Sequence, residues 1–178
     1  VAAAREFERY AGELDAASRE WEPTPSDALT ALGTAAPDVI GQRVDPGSVV
    51  LTPHDGEFAR LSGAPPGDDR CAAARDLAAR TGAVVVLKGP TTVVAAPDGR
   101  VRLSTAGDQR LATAGTGDVL AGTIGALLAR GAAPLEAAAS GAWIHGTAAL
   151  EGPPEGLVAS DLVAAIPTVI ARLRGAPR

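Results

Sequence analysis

Apolar and polar residues alternate along this chain in blocks that predict strands and helices in turn. Two short runs, "SVVLT" at 48–52 and "AVVVLKG" at 83–89, are continuous and β-branched, which is typical of buried strands. The segment 68–82 between them reads as a helix with Gly82 as its stop signal. A strand, a helix and a second strand in this order predict a parallel crossover within a layered α/β fold.

The remaining pattern predicts one hairpin and several more helices. The stretch "TTVVAAPDGRVRLS" at 91–104 predicts a β-hairpin that turns at 97–99. Three helices are expected after it, at 118–130, 134–150 and 160–174, the last capped by Ser160 with Asp161 in its first turn. Residues 1–20 have the spacing of an acidic amphipathic helix, and "WEPTPS" at 21–26 breaks it.

Composition adds mainly exclusions to this picture. A chain of 178 residues, 46% of them apolar, is long enough for one domain with its own core. It has no basic stripe, so we expect no nucleic-acid partner. The lone Cys71 excludes a disulfide framework. No apolar run is long enough for a bilayer and no signal-peptide pattern is present, so we expect a cytoplasmic protein without a membrane partner. The chain begins at Val1 and has no methionine, as a fragment would.

The stretch "AGTGD" at 114–118 stands where a helix is predicted to begin. The first turn of a helix has unpaired N–H groups and the positive end of the helix dipole. Gly115, Thr116 and Gly117 would bring the backbone close to a ligand and form an anion hole for phosphate or for a transferred phosphoryl group. Asp118 would repel a phosphate that is merely bound. It suits a general base that takes a proton from a hydroxyl attacking phosphorus.

The same residues could also form a tight turn with an N-terminal acid, which capping alone would favour. The spacing is neither a Walker loop nor a dinucleotide fingerprint.

Two further loops follow predicted strands, where ligands of open α/β sheets bind. "LKGPTT" at 87–92 places Lys88 and two hydroxyls at a strand end, and "LTPHDGEF" at 51–58 offers His54 and Glu57. Each has a simpler interpretation: Lys88 as an ordinary strand-end charge, His54 as a satisfied hydrogen-bonding group, and Glu57 as a solvated acid or part of a first helical turn.

Taken together, these motifs resemble the ADP-dependent NAD(P)H-hydrate dehydratase family of the ribokinase-like superfamily. The resemblance is carried by "LTPHDGEFARL", "VVVLKGPTTVV" and "LATAGTGDVLAGTIGALLARG", and continues through "AAASGAWIHGTAAL" and "VASDLVAAIP", over roughly residues 45–172. It implies a three-layer fold with a mostly parallel sheet. It also implies repair of hydrated NADH or NADPH: the ring hydroxyl is phosphorylated by ADP and phosphate is eliminated, which yields NAD(P)H, AMP and phosphate.

The resemblance also assigns roles to single residues. Asp118 would be the base and would contact the hydrated dinucleotide, as would His54. Gly115, Thr116 and Gly117 would form the anion hole, with Gly117 also touching the nucleotide. Glu57 would order Mg²⁺ through water, since phosphoryl transfer needs a cation to offset phosphate charge. The AMP portion would be lined by Lys88, Gly89, Pro90, Thr91 and Thr92.

The chain departs from the family pattern in three places. Asp55 replaces the proline of a His-Pro-Gly-Glu motif, and an acid there is expected to weaken phosphate binding slightly. The family has a strand that ends in Asp-Ala-Asp-Ala-Leu, and this chain retains only the second half of that motif, within "SDALTALG" at 26–33. The glycine-rich N-terminal third of the family domain, with its strands, is missing or replaced.

We therefore expect one partial ribokinase-like domain over 1–178, with a divergent helical segment at 1–44 and the family-like catalytic part at 45–174. A homo-oligomer is expected, and an NAD(P)H-hydrate epimerase acting in the same pathway is a candidate partner. Two alternatives stay open. One is a hydroxymethylpyrimidine or sugar kinase of the same superfamily, and the other is an inactive, truncated chain that binds nucleotide.

Overall fold

Four short strands and six α-helices make up the part of the chain that the computed structural model describes, residues 35–41 and 48–175. The strands are β1 (Val50–Leu51), β2 (Val84–Leu87), β3 (Thr92–Ala95) and β4 (Val101–Ser104). The helices are α1 (Ala36–Gly41), α2 (Asp55–Ser62), α3 (Arg70–Thr81), α4 (Thr116–Ala129), α5 (Pro134–Glu151) and α6 (Ala159–Leu173). A short 3-10 helix, Gln109–Ala112, precedes α4.

The strands form one sheet in the order β1-β2-β3-β4. β1 and β2 are parallel, with Val50 opposite Val84, and α2 and α3 form the crossover between them. β2 pairs antiparallel with β3, and β3 with β4. The expected α/β fold is confirmed, but these four strands form a mixed sheet rather than a mostly parallel one. The reason is that the loops 88–91 and 96–100 are too short for a parallel crossover.

Helices cover both faces of this sheet, which confirms the three-layer arrangement. All four residues of β2 are buried because each face has its own helical layer. On one face, Val85 and Leu87 belong to a core with Phe58, Leu61 and Leu77 of α2 and α3. On the other face, Val84 and Val86 belong to a core with Leu120, Ile124 and Leu135 of α4 and α5.

Most predicted elements lie where the pattern placed them. The predicted helix at 68–82 is α3, capped by Asp69, whose side chain accepts from the Ala72 N–H at 2.8 Å. The hairpin at 91–104 is β3 and β4 with its turn between them. α4 begins at residue 116 rather than 118. The prediction of an N-terminal helix at 1–20 and a break at 21–26 lies outside the described residues.

The predicted cap of the last helix is wrong. α6 begins at Ala159, so Ser160 is already inside its first turn. The carboxylate of Asp161 accepts from the backbone N–H of Val158 at 2.9 Å and thereby satisfies a group at the helix start. None of the helices in the described part of the chain is long and apolar enough to cross a membrane.

Two loops meet at one edge of the sheet. β1 and β2 are parallel, so the residues that follow Leu51 and Leu87 leave the sheet on the same side. The backbone N–H of Lys88 donates to the carbonyl of Pro53 at 2.9 Å, which joins the two loops directly. This edge is where the predicted site residues were expected to gather.

Candidate active site

A cleft of about 1170 Å³ lies at this edge of the sheet, between the two loops and the beginning of α4. Its volume is large enough for a nucleotide-sized ligand. All the residues expected at the site except Thr91 line this cleft. They are His54, Glu57, Lys88, Gly89, Pro90, Thr92, Gly115, Thr116, Gly117 and Asp118. Folding therefore brings three separate sequence motifs into one space.

His54 is the N-cap of α2. Its Nδ1 accepts from the backbone N–H groups of Gly56 and Glu57, at 3.0 and 3.2 Å. The Glu57 carboxylate accepts in return from the backbone N–H of His54 at 2.8 Å, which completes a capping box. Because Nδ1 is an acceptor, the neutral ring carries its proton on Nε2. The His54 side chain is 58% exposed, and its Nε2 lies 3.7 Å from Oε2 of Glu57, which is beyond hydrogen-bond distance, so this N–H can be donated to a ligand.

Glu57 and Lys88 form an ion pair at the base of the cleft. The Glu57 side chain is only 4% exposed, and its Oε2 lies 3.5 Å from Nζ of Lys88. A buried carboxylate requires such a partner. The Lys88 ammonium also lies beside α4, since a Cβ on Gly117 would be 3.4 Å from Nζ. Lys88 therefore places a positive charge next to the predicted anion hole.

The turn before α4 depends on a glycine and a threonine. Gly115 has a φ of +84°, a left-handed conformation that a side chain would strain, and α4 has no side-chain cap. The buried Thr116 hydroxyl lies 2.7 and 2.8 Å from the carbonyls of Leu111 and Thr113, to which it donates. Thr116 thus supports the turn rather than presenting its hydroxyl to a ligand. The backbone N–H of Thr116 donates to the Thr113 carbonyl at 3.3 Å, so the donors left for a ligand at this uncapped helix start are the N–H groups that follow it.

Asp118 lies in the first turn of α4 and lines the cleft. Its side chain is exposed and makes no hydrogen bond or ion pair within the described part of the chain. The positive end of the helix dipole favours a carboxylate at this position. An unengaged carboxylate beside an anion site is able to accept a proton from a bound hydroxyl.

His145 is a cleft residue that sequence reasoning missed. It lies on α5, is 6% exposed, and its Nε2 is 2.8 Å from the carbonyl oxygen of Thr116. Burial lowers the pKa of His145, as does the charge of Lys88, although the hydrogen bond to Thr116 opposes them. The neutral ring therefore donates Nε2–H to the first residue of α4. A single histidine in an apolar helix carried no signal of this contact.

The wall at 106–114 was also not expected, and an arginine holds it. Arg110 binds the Asp108 carboxylate, with Nη2 2.8 Å from Oδ2, and lowers the pKa of Asp108 through this hydrogen bond. Its Nη1 donates to the carbonyls of Gly152 and Pro153 after α5. Gly152 and Pro153 are more than 40 residues from Arg110 in the chain, so no local pattern could have indicated these two contacts.

The expected effect of Asp55 is modified by a partner that sequence reasoning also missed. Both oxygens of its carboxylate accept from the guanidinium group of Arg70, at 3.0 and 2.8 Å. The negative charge that was expected to disturb a bound phosphate is therefore paired.

These features define the class of protein: a three-layer, ribokinase-like α/β protein whose cleft opens at a helix N-terminus. The family model of NAD(P)H-hydrate dehydratases matches residues 26–170. Because that match spans most of the chain, this chain belongs to the NAD(P)H-hydrate dehydratase family.

Individual relatives agree with this assignment. A bifunctional NAD(P)H-hydrate repair enzyme of Mycobacterium tuberculosis is 58% identical over 114 residues, which are 64% of this chain and 24% of that protein. An ADP-dependent (S)-NAD(P)H-hydrate dehydratase of Neisseria meningitidis is 47% identical over 129 residues, 70% of this chain and 43% of that protein. The chain thus spans less than half the length of these relatives.

A solved structure agrees as well. The ADP/ATP-dependent NAD(P)H-hydrate dehydratase of Bacillus subtilis, co-crystallised with ATP and Mg²⁺, is 38% identical and superposes with a TM-score of 0.66. The match covers 70% of this chain and 47% of that one.

Proposed function

We propose that this chain takes part in the ADP-dependent dehydration of hydrated NADH and NADPH. The observation that carries the proposal is the unengaged Asp118 carboxylate beside an uncapped helix start and the Lys88 ammonium. A base, an anion site and a positive charge on one wall suit phosphoryl transfer to a hydroxyl. The names of the relatives support hydrated NAD(P)H as substrate and ADP as donor.

The chemistry follows from these roles. Asp118 takes the proton of the ring hydroxyl, whose oxygen attacks the β-phosphorus of ADP, and the bond from that phosphorus to the bridging oxygen breaks to release AMP. The lone pair of the ring nitrogen then expels inorganic phosphate from the neighbouring carbon. Loss of a proton from the next carbon restores the double bond of the dihydronicotinamide.

Apart from Asp118, the residues that line the cleft would bind and orient rather than react. The backbone N–H groups at the start of α4 and the Lys88 ammonium would face the phosphate oxygens, where charge develops during transfer. His54 offers Nε2–H to the hydrated dinucleotide. His145 holds the carbonyl of Thr116 and so fixes the first turn of α4.

The residues present fit Mg²⁺ held mainly by phosphates and water. No group of three His, Cys, Asp or Glu side chains within the described ranges could hold a metal ion by itself. Glu57 is a buried carboxylate on the cleft wall and could orient a water of hydration, in keeping with the few protein ligands that Mg²⁺ takes at nucleotide sites. When bound, Mg²⁺ would neutralise phosphate charge.

The proposal extends to two protein partners, an epimerase and a second copy of this chain. The bifunctional repair enzymes among the relatives support a link to an NAD(P)H-hydrate epimerase acting in the same pathway. A homo-oligomer stays a prediction from the family resemblance.

The proposal is tested by restoring the absorbance of the dihydronicotinamide ring. The chain is incubated with hydrated NADH, Mg²⁺ and ADP, with ATP in a parallel cuvette. We expect nucleotide-dependent recovery, and D118N to slow it about a hundredfold or more while ADP still binds. The matched control is D68N, which changes an exposed acid outside the cleft and should leave turnover intact.

Three outcomes would contradict the proposal. Unchanged turnover in D118N would exclude the assigned base. Phosphorylation of pyrimidine or sugar alcohols, without recovery of NADH, would favour a kinase. A folded chain that binds ADP and restores nothing would favour the inactive, nucleotide-binding alternative.

A further inference from the structure

Arg70 joins two loops of the cleft through one guanidinium group. Its Nη1 and Nη2 donate to the two carboxylate oxygens of Asp55 at 3.0 and 2.8 Å. Nη2 also donates to the backbone carbonyl of Lys88 at 2.8 Å. Asp55 is in the first turn of α2, Lys88 follows β2, and Arg70 reaches both from the first turn of α3. The two loops are therefore held together by one side chain.

The position of this guanidinium group is well defined by its surroundings. A Cβ on Gly89 would lie 2.7 Å from Nη2 of Arg70, so the group packs directly against the backbone of Gly89. The Arg70 side chain is 23% exposed, whereas that of Asp55 is 60% exposed. A bidentate pair with one enclosed partner has a more fixed geometry than an ordinary surface ion pair.

The charge of Asp55 matters because of where it lies. Asp55 lines the same cleft as Lys88 and Gly117, and the proposed ligand carries several negative charges. An unpaired carboxylate on this wall would repel phosphate groups, whereas a carboxylate bound by Arg70 belongs to a nearly neutral pair. Arg70 is not among the lining residues, so we expect it to act on a ligand by pairing with Asp55 and by holding Lys88 rather than by direct contact.

We propose that Arg70 is a positioning residue of the nucleotide site: it cancels the charge of Asp55 and holds the Lys88 carbonyl in place. The inference rests on the proposed function, since it takes ADP as the bound anion. It explains how this chain carries an acid beside its anion site without losing the site.

A titration with two ligands tests the role of the charge. ADP and uncharged adenosine are titrated by calorimetry into the wild-type chain, R70Q, D55N and the double variant D55N/R70Q, each checked for folding by circular dichroism. R70Q should weaken ADP binding about three- to fivefold, the size expected of a partly exposed charge, and leave adenosine binding unchanged. D55N/R70Q should recover about the wild-type ADP affinity, because the unpaired carboxylate is removed together with the guanidinium group that had offset it.

Two further variants sharpen the result. R70K keeps a positive charge without the bidentate geometry and should recover part of the ADP affinity. R100Q removes the partner of Asp98 in the hairpin turn, outside the cleft, and should change neither ligand's affinity. If R70Q does not fold, the comparison of R70K with D55N/R70K replaces it, and removal of the carboxylate should again strengthen ADP binding.

The outcomes separate this inference from the proposed function. Equal loss of ADP and adenosine affinity in R70Q, not relieved by D55N, would make Arg70 purely structural and overturn the inference. Unchanged ADP affinity in R70Q would overturn it too. A wild-type chain that binds no ADP would contradict the proposed function itself.

Discussion

At the scale of single residues, the proposed anion site combines backbone N–H groups of α4 with the positive charge of the Lys88 side chain. Gly117 has no side chain to separate the start of α4 from the Lys88 ammonium, and Lys88 is in turn held by the buried Glu57. The site therefore depends on the absence of a side chain at one position as much as on the side chains present.

Gly117→Val should block this site. The new side chain would start 3.4 Å from Nζ of Lys88 and extend into the space in front of the first N–H groups of α4. We expect the ADP affinity to fall by about tenfold or more, or ~1.4 kcal/mol, as measured by calorimetry.

Gly122→Val is the matched control, because it places the same side chain on the same helix with nothing within 4 Å. Equal ADP binding by the Gly117 and Gly122 variants would remove the start of α4 from the nucleotide site.

At the scale of elements, α5 holds several parts of the cleft in place. Its Leu135 and Ala138 belong to the core that includes Val84 and Val86 of the sheet, and its His145 contacts the first turn of α4. At Gly146 it comes so close to the loop after β4 that a Cβ would lie 2.3 Å from the carbonyl oxygen of Ala106. The wall at 106–114 is thus held by the close packing of a helix against a loop.

Gly146→Ala should therefore push the wall away from α5. The added methyl group cannot be accommodated without a backbone shift, so we expect unfolding to become easier by about 1–3 kcal/mol. Urea unfolding measures this change, and turnover should fall with it.

Gly125→Ala makes the same chemical change in α4, where nothing lies within 4 Å of the new Cβ. It should stabilise the chain by about 0.5–1 kcal/mol through helix propensity. Destabilisation of similar size in both variants would show that close packing at Gly146 is not the cause.

At the scale of the whole molecule, two helical layers enclose the sheet, and the packing of the helices buries a titratable group. His145 lies between α5 and α4 in its neutral form, because burial lowers its pKa. In the unfolded chain the same imidazole would titrate near its ordinary pKa of about 6.5. Protonation at lower pH therefore favours the unfolded state, and the stability of the whole domain depends on pH.

The free energy of unfolding should fall as the pH drops below about 6.5, by up to ~1.4 kcal/mol per unit of pKa difference, and level off below the lowered pKa of His145. Urea unfolding at several pH values between 8 and 5 measures the slope. His145→Gln keeps a donor for the Thr116 carbonyl and removes the titration, so its slope should be smaller.

The same slope in wild type and His145→Gln would contradict a role for His145.

Much of the described fold could be predicted because the signals are local. The β-branched run at β2, the turn of the β3–β4 hairpin and the stop at Gly82 each depend on residues within a few positions of one another. The beginning of α6 was misplaced because Asp161, rather than Ser160, satisfies the helix start. The hairpin at 91–104 already predicted one antiparallel pair; what was missed is that β2 also pairs antiparallel with β3, so that two of the three described strand pairs are antiparallel.

The sequence by itself determined the class of fold, the family resemblance and the three motifs that line one cleft, since these depend on periodicity, turn chemistry and short spacings. The tertiary structure alone decided which charges meet. Lys88 with Glu57, Asp55 with Arg70 and His145 with Thr116 are 15 or more residues apart, and all three contacts form only when the loops and helices pack together. A local sequence pattern cannot indicate a contact between residues that meet only when the chain folds.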